Sequence, residues 1–129
     1  MKAATRDWID KAEGDFRAAT ALARLARRRN IPLHDHVCFN SQHCTEKYLK
    51  ARLEEARVSF PKTHDLEVIL HLALPLEPLW AALAPAARRL KPFGVLIRYP
   101  GNEASAAEAR QALADCKAIR KEARIALGL

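Results

Sequence analysis

Residues 39–53 read FNSQHCTEKYLKARL, and their spacing is helical. Val37, Cys44, Tyr48 and Ala51 fall on one face, with Cys38, Thr45, Leu49 and Leu53 beside them. Asn40, His43, Lys47, Lys50 and Glu54 fall opposite and form the polar face. Gln42 and Glu46 are four apart on the row that continues into Leu49 and Leu53. They border the apolar face, so both are expected to be hydrogen-bonded across an interface. A local Glu46–Lys50 pair one turn apart is the equal alternative. The predicted helix runs from His36 to Arg57, with Asp35 as its cap.

Upstream, Trp8, Ala12, Phe16, Ala19, Ala23 and Ala26 recur at three- and four-residue steps, which predicts a helix from Thr5 to Arg29. Asn30, Ile31 and Pro32 end it. Downstream comes FPKTHDL, residues 60–66. Thr63 is placed to cap a helix beginning at His64, and Asp65 and Glu67 suit its positive end. Lys62, Thr63 and His64 also offer donors where phosphate binds well. Prolines at 75, 78, 85 and 92 divide the next region into a short helical turn, Glu77 to Leu83, and an irregular helix, Pro85 to Ile97. RYPG, residues 98–101, closes it with a sharp turn. Ser105 and Glu108 form a capping box for the last helix, and Gly128 stops it. In that helix Ala109, Ala112, Leu113, Cys116, Ile119, Ala123 and Leu127 point inward. The reading is all-α: a single domain, 1–129, built as an up-and-down bundle of four principal helices plus a short extra helix.

Composition agrees. Alanine and leucine dominate, and glycine occurs only 4 times. No apolar run reaches the roughly 20 residues of a membrane span, and the charged N-terminus lacks a signal peptide's apolar stretch, so a cytoplasmic protein without membrane contact is expected. The 3 cysteines, Cys38, Cys44 and Cys116, form no CxxC and are read as small buried apolar residues. The net charge is +7. Its basic residues cluster at Arg24–Arg29, at Arg88, Arg89 and Lys91, and at Lys117, Arg120, Lys121 and Arg124. Such clusters suit nucleic acid, nucleotides or an acidic partner, and also complement helix C-termini.

Chemistry is harder to find. His36 and His43 share a helix face by spacing, as do His64 and His71, but neither pair has HExxH spacing and no metal site is expected. There is no GxxxxGK[ST] and no GxGxxG, which excludes a P-loop ATPase and a Rossmann enzyme.

Four stretches in order resemble one family. FNSQHCTEKYLKARL and FPKTHDL are similar to the two signatures of the HEPN domain, the nucleotide-binding domain named for higher eukaryotes and prokaryotes. WIDKAEGDFRAA resembles its opening, and RYPG stands where the family places it before the last helix. The resemblance implies a helical homodimer and a separate minimal nucleotidyltransferase partner, in some members a toxin–antitoxin pair. It implies a nucleotide ligand such as ATP or GTP, or RNA, and no cofactor. Lys47, Lys50, Lys62, Thr63, His64 and Arg98 are then the phosphate-binding candidates, and Gln42 and Glu46 the interface candidates.

The family's nucleases use Arg-x(4–6)-His. After Arg98, the positions for that His hold Glu103, Ala104 and Ser105. Arg29/His34 and Arg57/His64 match by count but not by place. The resemblance therefore favours a non-catalytic binding module. The alternative is a metal-independent ribonuclease using Arg98 with His64 or Tyr99 as a substitute base.

Overall fold

The structure, a computed structural model, describes residues 1–95 and 99–129. Its described residues form five α-helices: α1 (Ala3–Arg29), α2 (His34–Glu55), α3 (Leu66–Ala73), α4 (Ala84–Leu90) and α5 (Ala106–Ala126). Two 3₁₀ turns, Pro78–Leu83 and Lys91–Gly94, flank α4. The all-α bundle is as expected. Three long helices carry it, and the irregular helix expected from Pro85 to Ile97 is α4 followed by a 3₁₀ turn ending at Gly94, with Ile97 outside the described residues.

α2 is the centre. Its most extensive packing is against α1, then against α5, while α1 and α5 touch each other at few points. Val37, Cys38, Cys44, Tyr48, Leu49, Ala51 and Leu53 are buried on it, and so are Ser41, Gln42, Thr45, Glu46 and Lys50. The polar face expected at His43 and Lys50 is therefore corrected. A helix with neighbours on nearly every side has little solvent face left, and its polar residues must find partners inside. Cys38, Cys44 and Cys116 are all buried and free, as read from the sequence.

Two cap assignments also change. α2 begins at His34, and Asp35 lies in its first turn rather than capping it. The Asp35 carboxylate instead accepts from the Ala104 backbone N–H at 2.6 Å, which ties the approach of α5 to the start of α2. The cap of α3 is Asp65, whose carboxylate accepts from the Glu67 and Val68 backbone N–H groups at 3.0 and 3.4 Å. Thr63 sits two residues earlier, its hydroxyl accepting from the Asp65 N–H at 3.1 Å. Asp65 caps because it reaches two amides of the first turn and its carboxylate carries the charge that the helix N-terminus favours. The Ser105–Glu108 capping box is present in both directions. Asn30 ends α1 in the left-handed region at φ 52°, which asparagine tolerates.

One half-buried network binds the three long helices. Glu13 of α1 accepts from the Tyr48 hydroxyl of α2, from Arg120 at 2.8 Å and from Arg124 at 2.8 Å, both of α5. Arg124 also donates to Tyr48 at 2.9 Å, and the Arg120 guanidinium lies 4.1 Å from the centre of the Phe16 ring. Burial alone would raise the Glu13 pKa. The hydrogen bonds from Tyr48 and Arg120 and the two guanidinium charges outweigh it, so the net shift is downward. A carboxyl with a depressed folded pKa binds fewer protons when folded than when unfolded. Its stabilisation is present above the unfolded value of about 4.3 and is lost as pH falls through the folded pKa. Urea midpoints should therefore fall with acidification, and Glu13→Gln should be less stable than the parent near neutrality with the gap closing towards acid. Parallel curves at all pH values would contradict this.

Candidate functional site

Two places concentrate chemistry. The first is where FPKTHDL meets α2. Gln42 and Glu46, one turn apart, lie buried beneath the segment that enters α3. The Gln42 Nε2 donates to the His64 carbonyl at 3.0 Å, and the Lys50 Nζ donates to the Thr63 carbonyl at 3.0 Å. These two bonds fix the backbone of the entry loop on α2. Glu46 Oε2 takes the Lys50 ammonium at 3.0 Å, and Glu46 Oε1 meets His64 Nδ1 at 2.8 Å. The Lys50 ammonium also lies 5.5 Å from the Trp8 ring centre and 5.8 Å from that of Phe60. Burial would raise the Glu46 pKa, but the bonds from His64 and Lys50 win and hold it below its ordinary value. Glu46 pairs with Lys50 on its own helix and also bonds within the chain to the α3 entry.

His43 stands one turn before Glu46, its ring 5.5 Å from that of His64 and 4.1 Å from that of Phe39. Burial is the largest effect on its pKa, which lies below the ordinary value. Its Nε2 is buried with no hydrogen-bond partner among the described residues, as is Gln42 Oε1. Gly94 closes over this place: a Cβ there would stand 3.0 Å from Gln42 Nε2.

Of the phosphate candidates, Lys50, Thr63 and His64 come together here. Lys50 is committed to Glu46, and Lys47 is drawn off to Asp15 of α1 at 2.5 Å. Lys62 and His64 are exposed. Tyr99 is 61% exposed, and Arg98 lies outside the described residues.

The second place is a groove of about 590 Å³ between α1, the start of α2 and α5. Its floor is small and apolar, made by Ala23, Ala26, Val37, Ala109 and Leu113. Its rim carries Arg24 and Arg27 from α1, His34 from α2, and Arg110 and Lys117 from α5. No carboxylate lines it, and among the described residues none of these four Arg and Lys side chains has an ion-pair partner. The first turns of α2 and α5 both open on it, so two positive helix ends add to the field. The other basic clusters are largely neutralised: Arg89 pairs with Asp115, Lys91 with Asp65, and Arg120 and Arg124 with Glu13.

The model of the HEPN domain family matches residues 5–126. The chain belongs to the HEPN domain family. No curated protein and no solved structure matches it significantly. Among the described residues of this HEPN chain, no helix is long and apolar enough to cross a membrane. Family membership supports a nucleotide-binding or ribonuclease-type module.

Arg110 was not singled out from sequence, although it stands seven residues before Lys117 on one helix face. Arg24 and Arg27 are likewise three apart. What no local spacing shows is that these two pairs face each other across a gap between helices.

Proposed function

We propose that this HEPN chain is a non-catalytic nucleotide-binding module whose phosphate site is the groove between α1, α2 and α5. The observation that carries the reading is a cavity with four unpaired cationic side chains on its rim and no carboxylate. An apolar floor of alanines and a leucine leaves room for a base or ribose, and its volume is that of small-ligand sites. ATP, GTP or an RNA strand fits this chemistry, since each brings several phosphate charges. That the protein works as a homodimer beside a minimal nucleotidyltransferase, in the manner of a toxin–antitoxin pair, rests on the family resemblance.

The test is binding of ATP, GTP and a single-stranded RNA by calorimetry or anisotropy, with Arg27→Glu/Arg110→Glu. Both residues are exposed, so the fold should survive. The expected result is binding that weakens about tenfold or more in the variant, with a salt dependence reduced by about two counterions. Unchanged affinity in the variant would remove the groove from the reading.

A second reading has its own observation. Glu46 holds Nδ1 of His64, whose side chain is 59% exposed, in the arrangement of a carboxylate-oriented base. That geometry suits a metal-independent ribonuclease with His64 as the substitute base and Arg98, which lies outside the described residues, as the phosphate-stabilising group. Cleavage of mixed RNA in EDTA, abolished by His64→Gln, would establish it; intact RNA would leave the binding module.

A further inference from the structure

We propose that His43, Glu46 and His64 form a binding site for a divalent transition metal ion of the zinc type. One ring nitrogen of each histidine and one Glu46 carboxylate oxygen lie within 4.8 Å of one another. Ligands about 2.0–2.1 Å from a tetrahedral ion lie about 3.3 Å apart, so a small adjustment closes the set, with the His64–Glu46 pair opening slightly from 2.8 Å. His43 and Glu46 are three apart on α2, on one face of a rigid central helix. His64 is the exposed member, its ring at the surface while its backbone is pinned by Gln42.

Two further features suit a metal. The Nε2 of His43 is buried with no well-formed hydrogen bond among the described residues, although the Gly94 backbone acts on the same ring. Lys50 holds Glu46 Oε2, which orients the carboxylate and leaves Oε1 towards the histidines. The Lys50 charge opposes a cation, so a borderline ion with strong imidazole bonding is favoured over calcium or magnesium, which need several oxygen ligands. Binding replaces the His64–Glu46 hydrogen bond by two bonds to the ion.

This site is separate from the phosphate groove and does not depend on it. The test uses the full chain, stripped with chelator and titrated with Zn(II) by calorimetry and with Co(II) by visible absorption. The expected result is one equivalent bound, Co(II) bands of nitrogen–oxygen coordination, and about tenfold or greater weakening in His64→Gln but not in His71→Gln. His64 is exposed, so its variant should remain folded. No binding, equal binding in His64→Gln, or thiolate charge-transfer bands pointing to a cysteine would each overturn the site.

Discussion

Glu46→Ala should cost about 3–5 kcal/mol of stability, because it leaves a buried ammonium without its counter-charge. The Glu46 and Lys50 side chains are 4% and 7% exposed, so solvent screens neither. The substitution also frees His64 and removes one anchor beneath the α3 entry, leaving Gln42 and Lys50 to hold the loop. Lys50 would keep the Thr63 carbonyl and the faces of Trp8 and Phe60, which together offset only part of the loss. Urea unfolding is the measurement. Adding Lys50→Met to Glu46→Ala should recover much of the loss, because the uncompensated charge goes with it. A double variant no more stable than the single one would mean that Glu46 acts through the loop and not through the ion pair.

Tyr48→Ala should cost about 3–5 kcal/mol, the range for emptying a large buried aromatic site. The ring is fully buried at the centre of α2, in the same cluster as Ala12, Cys44 and Cys116. Its hydroxyl donates to Glu13 and accepts from Arg124, so it also joins three helices. Burial, with the Glu13 charge behind it, pushes the phenol pKa up to about 12, and the hydroxyl stays protonated as a donor. Tyr48→Phe keeps the volume and loses the bond, and should cost about 1–2 kcal/mol. Comparing the two variants by urea unfolding separates packing from polar contact. Equal losses would mean that the hydroxyl carries the whole effect.

Local rules recovered the elements whose signals are local. The Ser105–Glu108 box, the Asn30 stop and the inward row of α5 each depend on residues within one or two turns, and each is present. The polar face of α2 failed for the opposite reason. His43 and Lys50 point away from the apolar stripe, but α3 and the turn at Gly94 cover that side, and helical periodicity carries no record of what packs there.

The α3 cap was misplaced by two residues. Thr63 and Asp65 both satisfy capping rules, and only the backbone path past Gln42 and Lys50 selects between them.

Site residues divide in the same way. Gln42 and Glu46 stood out because polar groups bordering an apolar row need partners, and the structure supplies those partners from Thr63, His64 and Lys50. Glu13 gave no such warning in the sequence, although two arginines and a tyrosine converge on it. The basic groove was half visible. Arg24, Arg27 and Lys117 belong to charge clusters, but sequence alone could not separate them from Arg120 and Arg124, which turn inward to Glu13.

The most direct measurement is amide shift mapping of isotope-labelled protein titrated with ATP and with a short single-stranded RNA. Binding in the groove should shift the amides around Arg24, Arg27, His34, Arg110 and Lys117, and leave Lys62 to Asp65 in place. Shifts confined to Lys62, Thr63 and His64, or no shifts at saturating ligand, would contradict a phosphate site between α1, α2 and α5.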